Sequence, residues 1–333
     1  MNSYRIIDKA KHRLTELYQA LTFIEAKCSI NMRKPRPETD QACRSLLQKA
    51  VRRGNTELTK VVAEHLAKTG DKEWLKNRLS VIVFEECWVL GGNLKFTKDE
   101  NITEALIKIA RSVKIKDAAG LGSLGYALSQ GDFSVLCNLS SDRDIKIISE
   151  AIKRPHDFWE WVINECPDEE KLAIVNSAYK GFKRGGWPWD RAFMQASAYL
   201  SVVDSLPEVY CSESISQIDD FPFWIAIDKH TSKGKEALRE VSKIFKIPYR
   251  QITWASFYCE SAITNQSSTS YWWTREVDWR LGKVGLTLDT ASKLWKLVSP
   301  TISKILQPEA KKLASCFLSE SHNIQNISQL VLF

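Results

Sequence analysis

One stretch of the 333-residue chain decides the fold: residues 43–92, which read CRSLLQKAVRRGNTELTKVVAEHLAKTGDKEWLKNRLSVIVFEECWVLGG. Apolar residues recur every three or four positions in three successive segments of this stretch, which is the spacing of a buried helical face. Three glycine-containing pairs interrupt the pattern: Gly54-Asn55, Gly70-Asp71 and Gly91-Gly92. Glycine ends helices readily, and Asp71 is a residue type that caps the helix after it. The stretch therefore predicts three helices, and the short turns between them predict antiparallel neighbours.

The same spacing continues along most of the chain, and alternating strand patterns are nearly absent. Further helices are predicted at 4–28, 101–116, 143–153, 157–165, 168–184, 188–204, 235–247, 250–264, 272–281, 288–298 and 300–320. The predicted fold class is all-α: a bundle of antiparallel helical hairpins, divided near residue 140 into sub-bundles 1–140 and 141–333. The hairpins of 41–92 belong to the first sub-bundle.

Composition excludes several classes of protein. The chain has 12 Trp, 13 Phe and 9 Tyr, which a disordered chain would lack. Its 47 Lys and Arg outnumber its 40 Asp and Glu, and the net charge of +7 allows a nucleic-acid partner. The N-terminus shows no signal-peptide apolar region, and no apolar run has the length of a membrane span. We therefore expect a cytoplasmic protein without a membrane partner.

The motifs of common cofactor sites are missing from the sequence. The eight cysteines include no CxxC pair, and the five histidines are far apart, so no metal site is expected. Gly234-Lys235 and Gly282-Lys283 are followed by Glu236 and Val284, where a P-loop needs Ser or Thr. The sequence therefore predicts neither a metal nor any other cofactor, and no ATPase activity.

A dense polar cluster follows an apolar run at residues 223–235, FWIAIDKHTSKGK. Asp228 adjoins this run, so it is a candidate catalytic carboxylate at a pocket wall. His230 is a candidate catalytic partner that donates to a phosphate or orients a water. The alternative is structural, with Asp228 or Thr231 capping the helix that follows.

The helix after this cluster carries a basic stripe of the kind that binds a phosphate backbone. The candidate DNA-binding residues of this region are Lys229, Lys233, Lys235, Arg239 and Lys243. A solvated helix face is the alternative interpretation of the stripe.

Two further groups complete the predicted DNA-binding surface. Trp272 and Trp273 are adjacent, so at least one ring is expected at the surface, where it stacks on an unpaired base, and Arg275 follows them. The segment Gly120–Gly125, GLGSLG, predicts a turn between helices in which Gly120 and Gly122 present N–H groups to a phosphate. The alternatives are burial of both tryptophans and a turn without a ligand.

One block of the sequence is similar to a known family. The basic turn VRRGN at 51–55, the helix end VVAEHLAKTGD at 61–71, and Arg78-Leu79 with Glu85-Glu86 resemble the C-terminal helical region of the RarA/MgsA replication-associated ATPases. Cys87-Trp88 departs from the Asp-Ile-Gly ending of that family. The resemblance covers about half of the chain. It implies a helical fold and a DNA-related setting. Members of that family use this region for tetramer assembly, so a homo-oligomer is a candidate assembly of this chain.

Three functions are compatible with these patterns. The first is a DNA-binding helical protein in DNA repair, replication or defence against foreign DNA. The second is a metal-independent DNA glycosylase, in which Asp228 stabilises the cationic sugar and activates water while Trp224, Trp272 or Trp273 holds the flipped base. The third is an oligomeric scaffold that binds only protein.

Overall fold

The chain folds into α-helices joined by short turns. The computed structural model describes residues 38–93, 102–137, 142–211, 218–264 and 270–318. These ranges contain thirteen helices: α1 Glu38–Arg52, α2 Thr56–Lys68, α3 Lys72–Glu86, α4 Ile102–Arg111, α5 Asp117–Ser129, α6 Arg143–Lys153, α7 Pro155–Asn164, α8 Glu169–Arg184, α9 Pro188–Val203, α10 Ser232–Phe245, α11 Tyr249–Ser256, α12 Tyr271–Gly282 and α13 Leu288–Leu318. They contain isolated bridges but no β-strand. The all-α prediction is confirmed, and the predicted helix 4–28 lies outside the described residues.

The three helices of residues 43–92 are present as α1, α2 and α3. Gly54 and Gly70 adopt φ values of +71° and +93°, a left-handed conformation that glycine reaches at little cost. Asn55 caps α2, because its side chain accepts a hydrogen bond from the N–H of Leu58. Asp71 occupies the predicted N-cap position of α3, but its carboxylate makes no capping hydrogen bond and instead accepts one from Arg44.

The predicted turn at 120–125 is also wrong, because the whole segment lies inside helix α5. Its glycines serve close packing instead. A Cβ at Gly120 would collide with the backbone of Trp272 in α12, and one at Gly122 would come within 2.9 Å of the backbone of Ala192 in α9. The glycines therefore allow neighbouring helices to approach the α5 backbone on more than one side.

The two helices predicted at 288–298 and 300–320 form the single helix α13, which contains Pro300. A proline removes one intrahelical hydrogen bond and crowds the preceding turn. The buried face of α13 nevertheless runs without interruption through Val298, Ile302 and Leu306. Burial of this face across the proline explains why the helix continues.

Helix α5 lies at the centre of the unit Gln41–Phe333. It packs against α6, α9 and α12. These contacts run across residue 140, where the sequence analysis places its sub-bundle boundary. Another group forms where α13 packs against α10, α11 and the turn Phe223–Ala226. Across the described ranges, every helix is too short or too polar to traverse a bilayer.

Candidate functional site

A cavity of about 500 Å³ opens within the unit Gln41–Phe333. Its wall combines charged side chains with an unusual number of aromatic rings. The Trp and Phe side chains of the wall are Trp74, Trp187, Trp189, Phe193, Trp254, Phe257 and Trp273. Small-molecule sites typically occupy about 300–1,000 Å³ and combine apolar walls with a few polar groups, so the cavity has the size and lining of a ligand site.

Hydrogen bonds within residues 228–234 fix the backbone around Asp228. Thr231 caps α10, because its hydroxyl accepts a hydrogen bond from the N–H of Gly234. The same hydroxyl donates to the carbonyl oxygen of Asp228 at 3.0 Å. Gly234 lies so close to this carbonyl that a Cβ would collide with it. Thr231 therefore makes the helix cap, and the carboxylate of Asp228 is directed to other partners.

The Asp228 carboxylate forms a buried ion pair with Lys49 of α1. Lys49 Nζ lies 2.8 Å from Asp228 Oδ2 and 2.7 Å from the hydroxyl of Ser45. The backbone N–H of His230 donates to Asp228 Oδ1 at 2.9 Å. Burial would raise the pKa of Asp228, but Lys49 and His230 outweigh it and hold the pKa well below its usual range. The carboxylate is therefore ionised at neutral pH.

The ring of His230 bridges this carboxylate and the solvent. His230 Nδ1 lies 3.1 Å from each carboxylate oxygen, while the side chain is 59% exposed. An ionised carboxylate only accepts hydrogen bonds, so it fixes the proton on Nδ1 and leaves Nε2 as the acceptor of a neutral ring. Within the described residues, Nε2 makes no hydrogen bond. Asp228 and His230 thus form an oriented carboxylate–imidazole pair at the cavity wall.

Lys229 lies beside this pair on two aromatic faces. Its Nζ is 4.1 Å from the ring centre of Trp254 and 4.3 Å from that of Phe257. Burial lowers the pKa of Lys229 to about 8, although Asp228 acts in the opposite direction. The described residues offer this ammonium neither a hydrogen bond nor a salt bridge.

The other five Lys and Arg side chains of the wall each pair with a carboxylate. Arg52 contacts both Glu86 and Glu85 at 2.7 Å. The remaining pairs are Arg44–Asp71, Lys49–Asp228, Arg78–Asp190 and Arg280–Glu276. The basic turn and the acidic pair singled out by the family resemblance are thus joined through Arg52. Lys229 is the wall cation whose charge the described residues leave unpaired.

Two tryptophans around Pro188 lie at the rim of the cavity. Trp187 immediately precedes α9 and is 71% exposed, and Trp189 is 38% exposed. The rim therefore offers an aromatic surface to a ligand that enters the cavity.

The structure brings together only part of the predicted site. Asp228, Lys229, His230 and Trp273 share the cavity wall. Lys235, Arg239 and Lys243 lie exposed along α10, which begins next to the cavity at Thr231, and Lys233 contacts Glu236 at 3.0 Å.

Four predicted DNA-binding residues are placed elsewhere. Trp272 is buried in the core, so its ring has no free face for a base. Arg275 is held by Asp142 and by the carbonyl oxygen of Val135. Gly120 and Gly122 lie inside α5, whose N–H groups are turned toward its own carbonyls and whose sides are covered by other helices. The prediction is therefore wrong for these four residues, because the ring, the guanidinium and the backbone N–H groups are already engaged in packing or hydrogen bonds within the fold.

Lys49 and Trp187 are two of the wall residues that sequence reasoning missed. Lys49 is separated from Asp228 by 179 positions, so no local pattern connects them. Trp187 had a weak signal, because two tryptophans flank a proline at a helix start in GGWPWD.

Comparison with known proteins gives no match, since no family model, no curated protein and no solved structure matches the chain. Within the described residues, no group of three or more His, Cys, Asp or Glu side chains is placed to hold a metal ion.

Proposed function

We propose that the protein binds DNA and receives an unstacked base in the Asp228 cavity. The observation that carries this proposal is the aromatic wall, in which Trp254, Phe257 and Trp273 accompany the charged groups Asp228 and Lys229. Every base has a flat face that stacks on such rings, and its edges bind polar groups.

Two surface features support a DNA ligand. The exposed ring of Trp187 at the rim is suited to occupy the space that an unstacked base leaves behind. The cations of α10 extend from the cavity side along an exposed face, as contacts to successive phosphates require. The resemblance to the RarA/MgsA helical region supports the same DNA-related setting.

Unstacking of a base can be measured with a duplex that contains 2-aminopurine, whose fluorescence rises when it leaves the stack. We expect the wild-type protein to raise this fluorescence. Trp187→Ala should reduce the increase and weaken binding by about 1–3 kcal/mol, the usual contribution of one stacking ring. Phe133→Ala is the matched control, because Phe133 is also 71% exposed but lies outside the cavity wall. Equal effects of the two variants would contradict the proposal.

Base excision is a second candidate, favoured by the ionised carboxylate of Asp228 in the cavity wall. A fixed negative charge stabilises the cationic sugar that forms as the base leaves. Asp228→Asn keeps the shape but loses the charge, so it should abolish the formation of abasic sites in damaged DNA while DNA binding persists. A folded Asp228→Asn variant with full base release would exclude this role.

An oligomeric scaffold is the third candidate and makes a different prediction. A scaffold uses its outer surface, so its assembly should not respond to cavity variants. Light scattering of the purified wild-type protein and of Asp228→Asn, whose substitution is buried in the cavity wall, with and without DNA, separates this function from the first. DNA-independent assembly together with no DNA affinity would favour the scaffold.

A further inference from the structure

We propose that Lys229 is an amine nucleophile that forms an imine with an aldehyde bound in the cavity. Given the DNA-binding function proposed above, on which the choice of substrate rests, the aldehyde is the ring-opened sugar of an abasic DNA site. Such a site has lost its base, so its sugar can enter a cavity that would otherwise hold the base.

The surroundings of Lys229 differ from those of every other cation in the wall. Five of the six Lys and Arg side chains there are fixed by carboxylates, and Lys229 is instead held by the rings of Trp254 and Phe257. A salt bridge would keep an ammonium protonated and would occupy its N–H groups. Within the described residues, Lys229 makes no such salt bridge, and the rings of Trp254 and Phe257 hold its Nζ at the cavity wall.

Burial of Lys229, which removes its ammonium from water, favours loss of the proton. Asp228 and Glu276 stabilise the ammonium, whereas Arg280 and Lys49 repel it, and removal from water acts against the charge. With a pKa of about 8, close to a tenth of the side chain is the neutral amine at pH 7. An ordinary lysine has a much smaller neutral fraction, because its pKa is near 10.4.

The reaction balances without an oxidant or a metal. The neutral Nζ attacks the aldehyde carbon, a C–N bond forms as the C=O double bond becomes a single bond, and a proton passes from the nitrogen to the oxygen to give a carbinolamine. The hydroxyl then leaves as water after a second proton transfer, and the nitrogen lone pair forms the C=N bond. His230, when protonated, can supply that proton, and the carboxylate of Asp228 stabilises the resulting iminium cation.

Borohydride trapping tests the proposal, because it reduces an imine to a stable amine. The wild-type protein is incubated with a labelled duplex that contains one abasic site, and borohydride should produce a protein–DNA adduct that survives denaturing electrophoresis. Lys229→Arg keeps the charge and the ring contacts but presents no neutral amine, so the adduct should fall at least tenfold. Lys60→Arg is the matched control, because Lys60 is an exposed lysine of α2 outside the cavity wall, and its adduct should match the wild type. A wild-type adduct that persists undiminished in Lys229→Arg overturns the proposal.

A second arm omits DNA and therefore separates this proposal from the DNA-binding function. The folded protein is treated with a small aromatic aldehyde and cyanoborohydride at pH 7, and modified lysines are located by peptide mapping. Lys229 should be modified at least fivefold faster than exposed lysines such as Lys235, and the preference should vanish after unfolding. Loss of DNA binding with preferential modification of Lys229 would refute only the DNA function. Modification of Lys229 no faster than of Lys235 would refute the amine nucleophile.

Discussion

At the scale of single residues, the ion pair of Lys49 and Asp228 connects function to stability. Both side chains are buried, and each is the principal counter-charge of the other. A buried pair contributes little relative to a matched apolar pair, but removal of one partner leaves an uncompensated charge in the interior. The catalytic interpretation of Asp228 must therefore be tested with the stability of each variant in view.

Lys49→Met is expected to destabilise the fold by about 3–5 kcal/mol, because it leaves the Asp228 carboxylate buried with only His230 as its charged partner. The double variant Lys49→Met with Asp228→Asn should recover a large part of this loss, since neither charge remains. Urea unfolding of the two single variants and the double variant measures the coupling. Additive losses would show that the two side chains are energetically independent.

The same pair predicts how stability depends on acid. The folded pKa of Asp228 is held below its unfolded value of about 3.9, so its contribution is complete above that value and is lost as pH falls toward the folded pKa. The difference in unfolding free energy between the wild type and Asp228→Asn should therefore be constant from pH 7 to about 5 and shrink below about 4. Unfolding curves at successive pH values test this prediction, and a constant difference down to pH 2 would contradict it.

Sequence reasoning identified Asp228 and His230 because they are adjacent to one apolar run. It could not identify Lys49, because the ion pair depends on the packing of α1 against a turn far along the chain. It also could not decide between Asp228 and Thr231 as the helix cap, since both residue types serve at caps. The hydroxyl of Thr231 makes the cap and frees the carboxylate for the cavity.

At the scale of elements, the glycines of α5 have a role that the sequence pattern does not reveal. A cluster of glycines predicts a turn, because glycine accepts unusual backbone angles. In α5 the reason for glycine is its missing side chain, since α9 and α12 approach the helix closely at Gly122 and Gly120. Only knowledge of the neighbouring helices distinguishes a glycine that forms a turn from one that allows close packing. Pro300 is a similar case, because proline predicts a helix end and yet lies inside α13.

Gly120→Ala should destabilise the protein even though alanine favours helices. The gain in helix propensity is about 1 kcal/mol, whereas overpacking costs about 1–3 kcal/mol or more. The new Cβ would meet the backbone of Trp272, which cannot rotate away as a side chain can. Thermal unfolding should therefore show a lower midpoint.

Gly282→Ala is the matched control for this variant. Gly282 ends α12, and a Cβ there has open space around it. Its unfolding midpoint should remain equal to that of the wild type or rise. A Gly120→Ala variant as stable as Gly282→Ala would contradict the close packing of α5 against α12.

At the scale of the whole molecule, the helical class followed from periodicity and from the scarcity of strand patterns. The cavity did not, because its wall draws on residues from Gln41 to Arg280 that only the complete packing brings together. The basic face of α10 could be predicted only in part. Its periodicity was visible in the sequence, but its position next to the cavity was not.

The basic face of α10 is expected to contribute to the salt dependence of DNA binding. Phosphate contacts release counterions, so the logarithm of the DNA association constant should fall linearly with the logarithm of the salt concentration. Replacing Lys235, Arg239 and Lys243 together with alanine should reduce the slope by about 1 for each side chain that contacts a phosphate. The control is the triple alanine variant of Lys180, Lys183 and Arg184, which removes the same charge from the exposed surface of α8. Fluorescence anisotropy between about 50 and 200 mM salt should separate the two variants. If both triple variants lower the slope equally, DNA responds to net charge alone, and α10 is not the phosphate-binding face.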